Sequence, residues 1–408
     1  MRLDERKNYS WYVVFISALI GISMTAAFPQ FTMVIAELSE KMKVTEDFLL
    51  FSDTIKSFAI MGGMLVSGPV YKKLGLRGTF VFSILTMIIP QILMPFALGK
   101  ISLILLKIIQ GLCSVSFPVF LITIMSWTKK ENTGTTTAVF NGLFYGGAGV
   151  GATLAGVTIV IFNWQASFFV LALLLFFPGI IWFLTVRENP LIAQAEETSS
   201  HKNENLMKEI AGKGNTWLLI LSFLSTIWIV QVLSVDLPLY AKEFNYSPDK
   251  VGFIMSSLSI GIFVACLVSG RFSDYAVKKS KDPAKGRLLI FSLGPLLTIL
   301  SILFMLFINK ESFTLFYLAS LLISFSSAWG LGSFYSILPE LMDRRRVEYA
   351  TGFIGGFADI GMPVGPFIFG VLLGIRGYWL FAWFTLIAIS LISLASSLLL
   401  IRSASSSS

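Results

Sequence analysis

Residues 142–156, GLFYGGAGVGATLAG, and residues 356–370, GFADIGMPVGPFIFG, carry glycines at equivalent places 214 positions apart. The coincident pairs are Gly142 with Gly356, Gly147 with Gly361, Gly151 with Gly365, and Gly156 with Gly370. Under the same shift Tyr145 falls on Asp359. We interpret the match as an internal repeat. Ordinary packing of small residues between membrane helices, without duplication, is the alternative.

The composition indicates a membrane protein that crosses the bilayer several times. Of 408 residues, 55% are hydrophobic and only 13% are charged, and the mean hydropathy is +0.79. A soluble domain has about 25% charged residues. Soluble classes are therefore excluded.

Long apolar stretches predict twelve helical spans, since a helix needs about 20 such residues to cross the hydrocarbon core. They lie at about 11–36, 48–71, 79–99, 101–127, 138–162, 164–186, 216–237, 250–269, 288–309, 312–338, 349–374 and 377–401. The stretches are too long for barrel strands and lack their alternation. We therefore expect an all-α membrane protein.

Basic residues fix the expected orientation. With the N-terminus in the cytoplasm, 22 of the 31 Lys and Arg residues fall in inner segments and seven in outer loops. Both termini are then cytoplasmic, in the inner or plasma membrane. The same distribution explains the net charge of +8 without a nucleic-acid partner. The first apolar run lacks a cleavage site and is predicted to be a span, not a removed signal peptide.

A long polar connection divides the chain into two halves. We expect a tail at 1–10, a six-helix bundle at 11–186, a cytoplasmic linker at 187–215, a second bundle at 216–402, and a tail at 403–408. The two cysteines, Cys113 and Cys266, lie in apolar runs, and the single histidine, His201, lies in the linker. Nothing in this pattern predicts a disulfide, a metal site, a cofactor or a catalytic group.

Two corresponding segments follow spans two and eight. They read Gly68-Pro-Val-Tyr-Lys-Lys-Leu-Gly-Leu-Arg77 and Gly270-Arg-Phe-Ser-Asp274-Tyr. With the two-half layout, they resemble the major facilitator superfamily, whose signature between helices two and three has a glycine followed four residues later by an aspartate. The first copy has Lys72 at the aspartate position. The resemblance implies a gating role for Gly68, Arg77, Gly270 and Asp274.

Two further motifs carry the same resemblance. Lys107-Ile-Ile-Gln110-Gly111 is similar to the family's helix-four signature, with Lys in place of Arg. The glycine-proline element of helix five in exporters is matched only in part, because Gly147 stands where proline is expected. The family resemblance implies two pseudo-symmetric six-helix bundles, with helices 1, 4, 7 and 10 lining a cavity. The bundles would rock about a site near mid-membrane.

Charges deep in apolar runs are the strongest functional signal in the sequence. Lys56, Lys107 and Asp359 stand inside spans two, four and eleven, and a charge there persists where it faces a partner or water. We expect Lys56 and Asp359 to approach each other between the bundles. A local pair of Lys56 with Asp53, snorkelling of Lys107 to the surface, and a purely structural pair for Asp359 remain alternatives.

These charges predict the kind of substrate and the coupling. Two lysines favour a small organic anion, such as a carboxylate, and Asp359 is the candidate for binding a coupling proton. Further candidate substrate contacts are Asn141, Tyr145, Trp228, Gln231 and Trp329, each of which has packing as an alternative. Other polar residues in the predicted cavity helices are Thr25, Gln30, Ser114, Ser116, Ser326 and Ser327.

The sequence therefore predicts a monomeric secondary active transporter in the lipid bilayer, moving a small organic anion by alternating access with a proton or counter-anion. A proton-driven exporter of lipophilic compounds is the alternative. No G-x-x-x-x-G-K-[ST] loop is present, so ATP-driven transport by this chain is not expected. An enzyme is disfavoured because no nucleophile with a base, or metal cluster, can be assembled.

Overall fold

The computed structural model describes residues 3–189, 206–309, 311–342, 344–374 and 379–406, and within these ranges the chain forms helices and no strand. The helices are α1 Leu3–Met33, α2 Ile35–Met42, α3 Glu46–Leu93, α4 Lys100–Gly111, α5 Ser116–Trp127, α6 Thr133–Ile161, α7 Trp164–Thr185, α8 Leu206–Ala211, α9 Gly214–Val235, α10 Leu237–Lys242, α11 Pro248–Lys279, α12 Pro283–Phe307, α13 Phe313–Ser333, α14 Leu338–Leu341, α15 Arg344–Ala358, α16 Gly361–Gly374 and α17 Trp379–Ser406. Residues 190–205 of the predicted linker lie outside the described residues.

Eleven helical stretches in the described ranges are long and apolar enough to cross a membrane, judged by length and composition, and two of them join α4 with α5 and α15 with α16. The sequence predicts twelve spans, and the difference arises in α3, which contains 48–71 and most of 79–99. Within it, Gly75 has φ 65° and ψ −176°, so the backbone is not helical there. Glycine adopts this positive φ without a Cβ clash. The turn between spans two and three is thus compressed around one residue.

The chain divides into two compact units. The first unit comprises Met1–Lys129, Leu143–Met207 and Arg345–Gly356. Part of its core lies where α1 to α4 and α7 meet, with Phe31, Leu49, Leu103 and Phe168 buried against one another. These residues come from positions far apart in the sequence, so burial of their apolar surface joins the helices into one body.

The second unit comprises Lys130–Gly142, Lys208–Arg344 and Phe357–Ser408. Phe223 of α9 stacks on Phe334 at a ring-centroid distance of 4.1 Å. Trp383 of α17 is fully buried and contacts the ring of Phe369. The start of α6 belongs to this unit and most of α15 to the first. The simple division at 187–215 stays a prediction.

The glycines that define the repeat have matching partners in the two units. In the first unit, a Cβ on Gly147 of α6 would lie 2.7 Å from Cα of Ile22 in α1, and Gly151 is packed against Ala26. In the second unit, Cβ atoms on Gly361 and Gly365 of α16 would each lie 2.9 Å from an atom of Trp228 in α9. Predicted span five (α6) therefore contacts span one (α1), and predicted span eleven (α16) contacts span seven (α9). This correspondence favours duplication over unrelated packing.

Candidate functional site

Two buried lysines in the first unit share one carboxylate. The ammonium groups of Lys56 and Lys107 each lie 2.7 Å from Oδ1 of Asp53. Both distances are those of charge-assisted hydrogen bonds. We call these three residues the lysine cluster. It contains two positive charges and one negative charge, so its formal charge is +1.

Helix geometry brings the three side chains of the lysine cluster together. Asp53 and Lys56 are three residues apart on α3, a spacing that places side chains on one helix face. Lys107 reaches them from α4, which approaches α3 very closely at Gly111. A Cβ on Gly111 would stand 2.7 Å from the backbone oxygen of Lys56. The glycine one turn after Lys107 therefore permits the contact that positions it.

Aromatic rings from α1 cover the two lysines. The Lys56 ammonium lies 4.6 Å from the ring centroid of Phe28, and that of Lys107 lies 3.0 Å from the centroid of Phe31. The negative face of an aromatic ring attracts a cation, but it does not cancel a full charge. The rings shield the ammonium groups while leaving the charge of the cluster unbalanced.

Exposure differs sharply within the lysine cluster. The side chains of Lys56 and Lys107 are 5% and 1% exposed, whereas that of Asp53 is 33% exposed. Asp53 therefore forms the accessible side of the cluster. The two ammonium groups lie behind it.

A chain of glutamines links four helices of the first unit. Gln110 of α4 donates to Gln91 of α3 at 3.3 Å, Gln91 donates to Gln30 of α1, and Gln30 donates to Ser167 of α7 at 2.7 Å. All four side chains are buried. Buried amides of this kind require partners, so the chain fixes how these helices pack around the lysine cluster.

A second charged cluster lies in the second unit at the start of α6. Asp274 accepts hydrogen bonds from the backbone N–H of Gly134 at 2.8 Å and of Thr135 at 2.7 Å. The guanidinium of Arg287, which is fully buried, lies 3.0 Å from the same carboxylate and 3.7 Å from Glu340. A carboxylate at a helix N-terminus is favoured by the unpaired N–H groups and the helix dipole. We call Asp274, Arg287 and Glu340 the acidic clamp.

The corresponding segment of the first unit is built differently. A Cβ on Gly68 would lie 2.8 Å from the ring of Tyr349 in α15, so an aromatic ring covers this glycine. Arg77 lies over the ring of Phe183 at 5.5 Å. Lys72 replaces the aspartate here and its side chain is exposed. Ring packing takes the place that the carboxylate has in the second unit.

Asp359 lies at a break in predicted span eleven, between α15 and α16. Helix α15 ends at Ala358 and α16 begins at Gly361, and Asp359 is 5% exposed. The break has a local cause, because Pro363 has no N–H to donate to the carbonyl of Asp359 and its ring would clash there. That carbonyl accepts instead from the N–H of Met362 at 2.9 Å. Among the described residues of the second unit, no Lys or Arg forms an ion pair with Asp359.

Comparison with known proteins identifies the family. The model of the Major Facilitator Superfamily matches residues 12–281. The chain belongs to the Major Facilitator Superfamily. It is similar to the "Probable galactarate/D-glucarate transporter GarP" of Escherichia coli (strain K12), with 22% identity over 341 residues that cover 77% of this chain and 76% of the relative. The protein of the same name from Escherichia coli O157:H7 matches equally well.

Family membership makes this chain a multi-pass membrane transporter, and the predicted fold class is confirmed. The predicted local pair of Lys56 with Asp53 is present. The alternative that Lys107 snorkels to the surface is wrong, because its ammonium is buried and bound to Asp53. Lys56 and Asp359 belong to different units, and their approach stays a prediction.

The five candidate substrate contacts have different surroundings in this superfamily member. Asn141 donates to the backbone oxygen of Leu331 at 2.6 Å, and Trp329 donates to that of Ile290 at 2.8 Å, so both bridge helices. Tyr145 packs on Phe144 at a ring-centroid distance of 5.2 Å.

Two of these candidates lie one turn apart on α9. The indole N–H of Trp228 is buried against Gly365, and among the described residues it has no hydrogen-bond acceptor. Gln231 follows three positions later and is half-buried. Trp228 is therefore the aromatic candidate that retains a donor for a ligand.

The other predicted cavity residues are engaged in helix packing. Thr25 donates to the backbone oxygen of Phe144 at 2.6 Å, and Ser114 donates to that of Ile60 at 2.7 Å. Ser116 pairs with Ser83 at 2.7 Å. Ser326 and Ser327 bond to carbonyls of their own helix. These side chains hold the scaffold together around the charged groups.

Sequence reasoning missed the polar residues Gln91 and Asp236 and the second bond made by Asp53. Asp53 is the common partner of both lysines, although the sequence suggests it only as a local neighbour of Lys56. Gln91 connects Gln30 to Gln110, and its only signal is that it is polar within span three. Asp236, at the end of span seven, is buried beside Gly370, and one carboxylate oxygen has no hydrogen-bond partner among the described residues. Their position as single polar residues in apolar spans is the sequence signal for Gln91 and Asp236.

Proposed function

We propose that this Major Facilitator Superfamily protein is a secondary active transporter that carries a small organic anion with a carboxylate group by alternating access. The observation that carries the proposal is the lysine cluster, in which one carboxylate faces two buried ammonium groups. An unbalanced charge in an apolar environment is costly, and an incoming anion balances it. Lys56 and Lys107 are the residues that would bind this anion.

The exposure of the lysine cluster supports a ligand role over a purely structural one. A structural pair needs one anion for each cation, and here a second anion is missing. The accessible side of the cluster is Asp53, whose side chain is 33% exposed. A small carboxylate can therefore approach the two ammonium groups without the helices coming apart.

The second unit would supply a coupling group and further substrate contacts. Asp359 is buried at a helix break without an ion-pair partner among the described residues of its unit, so a proton is a suitable partner for its carboxylate. Trp228 presents an unused indole N–H, and Gln231 lies one turn away on α9. We infer that these residues contact the substrate or the coupling proton. Asn141, Tyr145 and Trp329 would shape the site by packing.

Gating would use the two copies of the helix two–three signature differently. Asp274 of the acidic clamp binds the start of α6 through two backbone N–H groups, and Gly270 allows α11 to approach that helix closely. Gly68 and Arg77 make contacts with aromatic rings instead. We infer a gate that is ionic in one copy and aromatic in the other. The chain would act as a monomer in the inner or plasma membrane, with both termini cytoplasmic.

The distant relative supports the choice of substrate class. Its name assigns it two sugar diacids, galactarate and glucarate, which are organic anions. At 22% identity this likeness does not extend to the particular substrate. The lysine cluster would bind a carboxylate or a similar anionic group of the substrate, and it does not specify the remaining part of the substrate.

Reconstitution tests the proposal. Purified protein in liposomes should take up a radiolabelled carboxylate, with L-lactate and galactarate as the first probes, and unlabelled carboxylates should compete. A Lys213→Gln variant, which changes a lysine in an exposed ion pair, is the control for loss of a lysine. Transport of a lipophilic dye with no uptake of either anion would favour the exporter alternative and contradict the proposed function.

A further inference from the structure

One carboxylate oxygen serves both lysines of the cluster. Nζ of Lys56 and Nζ of Lys107 each lie 2.7 Å from Oδ1 of Asp53. Among the described residues, this oxygen is the hydrogen-bond acceptor that contacts either ammonium. Lys107 is 1% exposed and Asp53 is 33% exposed, so the accessible side of the Lys107 ammonium is the one that Asp53 occupies.

We propose that Asp53 is an internal substitute for the substrate carboxylate, which displaces it from Lys107 when the substrate binds. This inference rests on the proposed organic-anion function and adds a residue that competes with the substrate. Asp53 has the same chemical group as the expected ligand, and it occupies the acceptor position of both ammonium groups. Substrate and Asp53 therefore exclude each other at Lys107.

The arrangement of the helices indicates which of the two bonds to Asp53 the substrate replaces. Asp53 and Lys56 are on the same helix, three residues apart, so they remain neighbours when the position of α4 changes. Lys107 is on α4, so its contact with Asp53 is a contact between helices. The bond to Lys107 is the one that a substrate can replace, while the bond to Lys56 retains Asp53 in the site.

Charge balance then specifies which end of the substrate binds. The cluster has a formal charge of +1, so one added carboxylate makes it neutral. A second carboxylate on the same substrate would leave an excess negative charge at this place and must lie elsewhere. The lysine cluster thus recognises a single carboxylate group, and a neutral amide of the same shape would not replace it.

Replacing Asp53 distinguishes competition with the substrate from a purely structural role of Asp53. In the purified full-length chain, Asp53→Asn removes the internal competitor and should tighten binding of L-lactate or galactarate about ten- to hundredfold, as expected when a competing charged hydrogen bond is lost. The same variant should melt at a lower temperature without ligand, because two ammonium groups lose their anion. Titration calorimetry and thermal unfolding measure the two effects, and L-lactamide is the neutral control ligand.

The experiment includes one control variant and a pair of substitute variants. Asp47→Asn changes an exposed carboxylate on the same helix and should leave both measurements unchanged. Should Asp53→Asn fail to fold, Lys56→Gln and the double variant Asp53→Asn with Lys56→Gln answer the same question. The double variant should bind the anion at least about tenfold more tightly than Lys56→Gln alone, because Lys107 is then free of a competitor.

The outcomes are distinguishable from a failure of the proposed function. If the wild type binds an anion and Asp53→Asn binds it equally or more weakly, Asp53 is only a structural partner and the inference is overturned. If neither protein binds any member of a panel of small carboxylates that includes L-lactate and galactarate, the organic-anion function itself fails. Binding by the variant alone would support the inference, since it removes the competitor.

Discussion

Lys107 is bound across a helix boundary to Asp53, which already holds Lys56 on its own helix. The contact joins α4 to α3 through one carboxylate oxygen and leaves the cluster with an excess positive charge. Lys107 is 1% exposed, so its charge is balanced inside the protein or by a ligand. This relationship links the packing of the first unit to the anion that we propose it carries.

Lys107→Gln should abolish most anion binding while the protein stays folded. The variant makes the cluster neutral, because Asp53 then balances Lys56, and it removes one donor. We expect the dissociation constant to rise about ten- to hundredfold, as for loss of a hydrogen bond to a charged group. Titration calorimetry measures it, with Lys213→Gln as the control. Unchanged affinity in Lys107→Gln would refute the binding role.

Gly111→Ala should destabilise the protein by separating α4 from α3. A Cβ at this position would lie 2.5 Å from Cβ of Ala59 and 2.7 Å from the backbone oxygen of Lys56. Overpacking of this kind costs about 1–3 kcal/mol. Gly62→Ala is the matched control, because its Cβ would meet nothing within 4 Å. Thermal unfolding should show a lower melting temperature only for Gly111→Ala, and equal behaviour would contradict the packing account.

Gln91→Met should cost more stability than Gln110→Met. Gln91 lies inside the glutamine chain, and its loss leaves a buried group of Gln30 and another of Gln110 without partners. Each such group costs about 1–3 kcal/mol. Gln110 is the end of the chain, and its loss leaves one group on Gln91 unpaired. Chemical unfolding in detergent compares the two variants, and a larger effect for Gln110→Met would show that the chain is not continuous.

Arg287→Met should destabilise the second unit more than Glu340→Gln does. Arg287 is fully buried, bonds to Asp274 at 3.0 Å and donates to the backbone oxygen of Lys130 at 2.9 Å. Removing one partner of a buried ion pair costs about 3–5 kcal/mol. Glu340 is 3.7 Å from the guanidinium and partly exposed, so its charge matters less. Thermal unfolding ranks the two, and the reverse order would contradict a central role for Arg287.

Asp359→Asn should remove the dependence of anion uptake on external pH. If Asp359 carries the coupling proton, wild-type uptake rises as external pH falls, because the protonated form accompanies the anion. The asparagine variant cannot gain or lose a proton, and its uptake should be nearly constant with pH. Liposomes at several external pH values measure this. A variant that keeps the wild-type pH profile would exclude Asp359 as the proton carrier.

Much of the fold follows from the sequence, because apolar length is a local signal, whereas the orientation inferred from the basic residues stays a prediction. The repeated glycines lie at close contacts of α6 and α16 with neighbouring helices, since a close approach requires a missing side chain. The lysine cluster is only half predictable. The pair of Asp53 with Lys56 is visible as a spacing of three residues, whereas the bond from Lys107 depends on how α4 packs.

Features that depend on packing between helices were the ones that a single sequence could not supply. The glutamine chain is an example, because Gln30, Gln91 and Gln110 come from three helices with no common spacing. The break between α15 and α16 is partly predictable from the sequence. The prolines and glycines of residues 361–366 favour an interruption just after Asp359, and in the structure the two residues between the helices are Asp359 and Ile360.

The most direct test of the central claim is an experimental structure of the protein with a transported carboxylate bound. The account predicts that a carboxylate oxygen of the ligand lies within about 3.2 Å of Nζ of Lys107 and that Asp53 has moved away from that atom. A bound carboxylate that contacts neither Lys56 nor Lys107, with both still held by Asp53, would contradict it.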